Sequence, residues 1–232
     1  MTFAPPTNRY SVTTDLRRDK HSPAPLYDRD MQPITAFVLA GGKSTRMGTD
    51  KALLQLGGRP LIAHAIDLAR SAAEEVKIIG DADKFSQFGD VIQDVYPDRG
   101  PLGGIHAALT STRTDWNLIL GVDLPFLREP FLRYLAAAAQ DSDAVVTVAS
   151  AGGRLQPLCA MYRKQFGVLA EPALVSGRNK VDALFSETSV RLITEEELAT
   201  NNFSSSIFRN LNAPEDWELA QQEFAVRAQQ KA

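Results

Sequence analysis

The sequence predicts an α/β fold, a single Rossmann-like domain with a mostly parallel sheet flanked by helices. Three observations carry this. Short apolar runs alternate with segments of helical period from Ile34 onward. Those runs are nearly continuous in apolar residues, as in strands covered on both faces. Glycines and charged residues follow the ends of several runs, where open α/β sheets place their ligands.

Taken in order, Ala36–Ala40 reads as the first strand. Pro60–Ala73 reads as a helix, with Leu61, Ile62, Ala65, Leu68 and Ala69 at helical spacing and proline in the first turn. Val76–Ile79 and Val91–Ile92 are short apolar runs, and Leu102–Leu109 is helical. Trp116–Val122 is a buried-type strand, Glu129–Gln140 an alanine-rich helix and Ala144–Ala149 a valine-rich strand. Leu155–Tyr162 is a further strand, Lys180–Phe185 a short helix and Val190–Ile193 a short strand. Pro214–Arg227 closes the chain as an amphipathic helix, with Asn212 as its candidate cap. No internal repeat or linker divides residues 33–232, which form one expected domain. Residues 1–32 mix prolines and charges and read as a disordered or dispensable tail, with Met31 the expected natural start.

The bulk numbers narrow the function. A chain of 232 residues supports one substantial core. A formal net charge of −3 gives no general basic field for nucleic acid, so any anion site is local. The single cysteine, Cys159, excludes an internal disulfide framework and suits a reducing, cytoplasmic setting. No apolar run approaches the ~20 residues of a membrane helix.

The most informative stretch is FVLAGGKSTRMGTDKALL, residues Phe37 to Leu54. A P-loop would need glycine five positions before Gly42, where Phe37 stands, and a dinucleotide fingerprint would need glycine at Lys43. What remains is a bare, donor-rich loop at a strand end. Gly41 and Gly42 let a ligand approach the backbone, Arg46 offers a fork for phosphate oxygens and Lys51 a mobile point charge. The pattern resembles the nucleotide-binding signature of the nucleotidyltransferase superfamily.

Further along, GVDLPFL places Asp123 at the carboxyl end of a strand, where a carboxylate holds Mg²⁺ or simply forms a turn before proline. VIQDVYPDRGPLGGI sets Asp94 ahead of a glycine-rich loop, Gly100, Gly103 and Gly104, that precedes a helix. Asp94 suits a base's N–H groups or ribose hydroxyls, or is a solvated loop acid. His64, His106 and Cys159 read as packing or surface residues. The lack of an evident general base fits attack by a phosphate monoester, largely a dianion at neutral pH.

LAGGKSTRMGTDKALL, GPLGGI, VDLPFL, QPLCAMY and NLNAPEDW follow one another as in the molybdenum cofactor guanylyltransferases, which the chain resembles from Thr35 to Gln221. The resemblance implies transfer of GMP from GTP to the terminal phosphate of molybdenum-molybdopterin, with Mg²⁺ as cofactor and pyrophosphate released. It implies nucleotide contacts from the backbone at Leu39, Ala40 and Gly41, from Lys51 and from Asp94, with Asp123 holding Mg²⁺. Arg46, Lys51 and Asp123 would form the catalytic set. Asn210 and Asn212 match the two asparagines linked to the pterin pocket, and Arg178 and Lys180 offer charge to the anionic second substrate. The family's nucleotide-site asparagine has no match in IIGDAD at Gly80. A molybdopterin-delivering protein or acceptor-enzyme chaperone is the expected partner, with no nucleic acid and no membrane. Two alternatives stay open: a cytidylyl- or guanylyltransferase of another phosphorylated small molecule, and an inactive nucleotide-binding adaptor.

Overall fold

A computed structural model describes residues 31–41, 50–211 and 214–229. Its centre is a seven-stranded sheet. The strands in chain order are β1 (Ile34–Leu39), β4 (Glu75–Ile79), β5 (Val91–Ile92), β6 (Trp116–Gly121), β7 (Val146–Ala151), β8 (Arg154–Arg163) and β9 (Val190–Ile193). A small hairpin, β2 (Gln55–Leu56) with β3 (Arg59–Pro60), stands apart. The sheet order is β5-β4-β1-β6-β8-β7-β9, and β8 alone runs antiparallel to its neighbours.

The apolar runs sort onto two faces. Ala36 and Val38 of β1 join one core cluster while Phe37 and Leu39 join the other, so the strand has no solvent side. Helix α1 (Leu61–Ala69) and helix α4 (Glu129–Gln140) cover the first face, with Ile62, Ala65, Leu132 and Leu135 buried. Helix α3 (Gly100–Ser111) and helix α5 (Phe166–Val175) cover the second, with Leu102, Ile105, Phe166 and Ala170 buried. Two short helices, α2 (Ala82–Phe85) and α6 (Glu195–Thr200), fill the edges. The closing helix α7 (Pro214–Gln229) lies by the hairpin, where Ala220 and Trp217 meet Leu56, Leu61, Phe126 and Leu211.

The expected α/β architecture is the observed one, with revisions to several elements. The helix expected from Leu102 starts at Gly100, so the string also read as a glycine-rich loop, with Gly100, Gly103 and Gly104, lies inside α3. Asp182–Glu187 is a 3-10 turn where Lys180–Phe185 was expected to be helix. Helix α5 carries Pro172 and was not anticipated, because a proline in a mixed apolar segment hides its period. The β7–β8 connection is a tight hairpin. Gly152 and Gly153 both hold positive φ, 60° and 69°, as a two-residue hairpin turn between paired Ala151 and Arg154 requires.

Candidate active site

Strand order reverses around β1. The chain runs from β1 outward to β4 and β5, then returns to place β6 on the other side of β1. The segments leaving β1 and β6 therefore part at one crevice, the switch point at which open α/β sheets bind ligands. Lys51 comes from the first segment and Asp123 from the second. Their side chains meet there, with Lys51 Nζ 3.5 Å from Asp123 Oδ2 and about one-fifth of each exposed (18% and 22%).

Local structure explains both positions. Lys51 opens a 3-10 turn, Lys51–Leu53, whose cap is Asp50. Asp50 Oδ1 accepts from the Ala52 N–H at 3.2 Å, and Asp50 Oδ2 lies 3.1 Å from Lys84 Nζ. Asp123 follows the last β6 residue by two positions. A Cβ on Gly121 would lie 2.8 Å from Asp123 Oδ1, so glycine leaves the room the carboxylate occupies. The backbone of the same residue is tied down, since Asp123 O accepts from the Leu211 N–H at 3.2 Å. That bond brings Asn210 alongside. Its Oδ1 is buried with no hydrogen-bond partner among the described residues, an arrangement that costs free energy unless a ligand donates. Arg209 braces the segment from Phe126, with its guanidinium carbon 4.0 Å from the ring centre and an ion pair to Glu223 at 2.6 Å.

Asp94 follows β5, two strands from β1. Its carboxylate lies against the bare Cα of Gly103, where a Cβ would approach Oδ2 to 2.8 Å and Oδ1 to 3.0 Å. The Tyr96 N–H donates to Asp94 Oδ1 at 2.9 Å. Burial pushes the Asp94 carboxyl above its ordinary pKa, and the Tyr96 hydrogen bond and the His106 charge pull it partly back. At the end of β1 the Ala40 N–H donates to Ile79 O at 3.0 Å. Gly80 is bare for a separate reason. The Phe85 ring sits 2.9 Å from where its Cβ would be, so an aromatic ring takes up the space of any side chain there.

The remaining sequence-derived residues divide. Gly42, Arg46 and Asn212 lie outside the described residues. Arg178 is paired with Glu187 at 2.6 Å, and Lys180 is exposed on the turn that follows α5. Cys159 is wholly buried and its thiol pKa is pushed up by that burial, which leaves it inert. Sequence reasoning missed two supports, Gly103 beneath Asp94 and Gly121 beneath Asp123. The GPLGG and GVD strings held the signal, but only the fold shows which carboxylate each glycine accommodates.

As a metal site this crevice is sparse. No group of three or more His, Cys, Asp or Glu side chains is arranged to hold an ion among the described residues. One partly exposed carboxylate beside a lysine fits a different style of binding. Mg²⁺ commonly keeps most of its waters and takes one or two carboxylates plus substrate phosphates.

Comparison with known proteins agrees with this fold. The family model for the MobA-like NTP transferase domain matches residues 36–180, from β1 through the turn after α5. The chain belongs to the MobA-like NTP transferase family. A probable molybdenum cofactor guanylyltransferase of Carboxydothermus hydrogenoformans is 34% identical over 85% of this chain and 100% of its own length. The molybdenum cofactor guanylyltransferase of Vibrio cholerae is 34% identical over 79% of this chain and 88% of its own. Among solved structures, molybdopterin-guanine dinucleotide biosynthesis protein A from Archaeoglobus fulgidus superposes with a TM-score of 0.73. It covers 82% of this chain and 98% of its own at 24% identity, a likeness of fold. Every segment that builds the Lys51–Asp123 crevice, apart from the Leu211 strap, falls inside the matched MobA-like region.

Proposed function

We propose that this chain transfers GMP from GTP to the terminal phosphate of molybdenum-molybdopterin, giving the guanine dinucleotide form of the cofactor and pyrophosphate. The observation that carries the reading is the meeting of Lys51 and Asp123 at the switch point of a MobA-like fold. The names of the relatives supply the substrate class.

The chemistry is an in-line displacement. An oxygen of the molybdopterin phosphate bonds to the α-phosphorus of GTP, and the bond from that phosphorus to the α,β-bridging oxygen breaks. Pyrophosphate leaves with the electron pair. The attacking phosphate is largely a dianion at neutral pH, so no side chain has to remove a proton. The protein's work is placement and charge. Lys51 neutralises the triphosphate, and Arg46 adds a second cation from the same segment. Asp123 would hold Mg²⁺, which would supply charge neutralisation for the phosphates. Asp94 accepts from the guanosine. Asn210, with its buried and unpartnered Oδ1, takes a donor from the pterin side. Arg178 and Lys180 add positive charge on the approach of the second substrate, with Glu187 the partner Arg178 exchanges for a phosphate.

Reconstitution with labelled GTP, Mg²⁺ and molybdenum-loaded molybdopterin, run beside labelled CTP, tests the assignment. Label from GTP should enter the dinucleotide with matching pyrophosphate. Incorporation from CTP and not from GTP overturns it. Asp123→Ala should lower turnover by about 100-fold or more, the scale seen when a preorganised charge is removed from such a site. Full activity in that variant would take Asp123 out of the mechanism.

A further inference from the structure

His106 lies on α3 with only 3% of its surface exposed, and both of its ring nitrogens are buried with no hydrogen-bond partner among the described residues. A leucine would fill such a site without bringing in two polar atoms. An unpaired buried imidazole is a cost to the fold, so its neighbours matter. His106 is three residues after Gly103 and shares its helix face. Over Gly103 sit the Asp94 carboxylate and the Tyr96 carbonyl, which would approach a Cβ there to 2.8 Å and 2.9 Å. The Tyr96 ring then folds down onto the imidazole, edge to face, with ring centres 5.2 Å apart and planes at 70°. The turn from Asp94 to Tyr96 is thus clamped to one stripe of α3, and His106 is the base of that stripe. The imidazole's charge also offsets part of what burial does to Asp94.

We propose that His106 is a positioning residue of the nucleoside pocket, holding Asp94 from below and donating a ring N–H to its carboxylate when the nucleotide is bound. The inference rests on the reading of Asp94 as the guanosine acceptor. His106 never touches the nucleotide. It acts through Asp94, and the histidine gains in the bound state the hydrogen bond it lacks without ligand.

The test uses the full chain and GTP with Mg²⁺, with affinity read by calorimetry and steady-state kinetics run alongside. His106→Leu, which keeps bulk and loses both nitrogens, should raise the Kd and KM for GTP about tenfold while kcat stays within about twofold. His106→Gln, which keeps a donor, should recover most of the affinity. Combined with Asp94→Asn, His106→Leu should add little to the loss caused by Asp94→Asn alone, because one residue acts through the other. A cooperatively melting His106→Leu with wild-type affinity for GTP overturns the proposal, as does an effect that adds in full to that of Asp94→Asn. Should the leucine variant not fold, the ring nitrogen resonances of His106 in the wild type decide: GTP must move them, and unmoved signals overturn the proposal. Wild-type protein that does not bind GTP overturns the guanosine reading itself and this inference with it, a result distinct from the others.

Discussion

Gly103 and Gly104 are neighbours on one helix, and alanine at either should have opposite consequences. Each lies inside α3, where replacing glycine by alanine ordinarily stabilises by about 1 kcal/mol through helix propensity. At Gly104 the added methyl meets the Leu39 Cδ2 at 3.3 Å and the Ile79 Cγ2 at 3.4 Å, which are side-chain ends able to shift by a tenth or so. At Gly103 it meets Asp94 Oδ2 at 2.8 Å and the Tyr96 carbonyl at 2.9 Å. The overlap is roughly 0.6 Å, and the carbonyl belongs to the backbone of the turn. Overpacking of this kind costs about 1–3 kcal/mol, enough to cancel the propensity gain and displace the Asp94 turn. Gly104→Ala should therefore match or slightly exceed wild-type stability and bind GTP normally. Gly103→Ala should be neutral to about 2 kcal/mol less stable. It should also bind GTP about tenfold or more weakly, since each 1.4 kcal/mol lost at the pocket is a factor of ten. Denaturant unfolding and calorimetry on the pair measure both quantities. A Gly103→Ala variant that is stabilised like Gly104→Ala and binds GTP as tightly as wild type would refute the clamp between α3 and the Asp94 turn.

Two other outcomes follow from the same structure. Because burial raises the Asp94 pKa in the folded state, ionising Asp94 costs native stability; that cost is absent below the ordinary carboxylate pKa and complete above the raised one. Asp94→Asn, which keeps an acceptor for the Tyr96 N–H, should melt higher than wild type at about pH 7, lose that advantage as the pH falls towards about 4, and bind GTP more weakly. A melting point at neutral pH equal to or below wild type would refute the sign. Cys159, wholly buried with its thiol pKa pushed up, should resist thiol reagents at neutral pH in folded protein and react on unfolding. Rapid labelling of the native chain would show that the β8 core is open.

The parts of this protein written locally are its strands, its long helices and the identity of its charged candidates. VTVASA and WNLIL are apolar because both faces of their strands are covered, and no partner needs to be known to read them. The run from Glu129 to Gln140 begins and ends as a helix where the sequence says, since its proline and alanines act within one turn. Harder to read were elements whose local signals conflict, such as α5 with Pro172 inside it, or a glycine-rich string that tertiary packing holds as helix. For the GPLGG glycines the chain's own propensity argues for a loop. The Asp94 turn and the Leu39 side chain packing onto them require the opposite, because only glycine lets them come so close to the helix.

The sequence alone determined that a lysine would follow the first strand, an acid the strand beginning at Trp116, and that both belong to a phosphate-handling family. It could not determine that they face each other. Lys51 and Asp123 are far apart in the chain and meet because strand order reverses at β1, a property of how the crossovers close and not of any residue near either charge. The burial of His106 beneath the Tyr96 ring is likewise a tertiary outcome. A helix fixes which residues share a stripe, but only packing decides that this stripe lies under the turn that carries the acid.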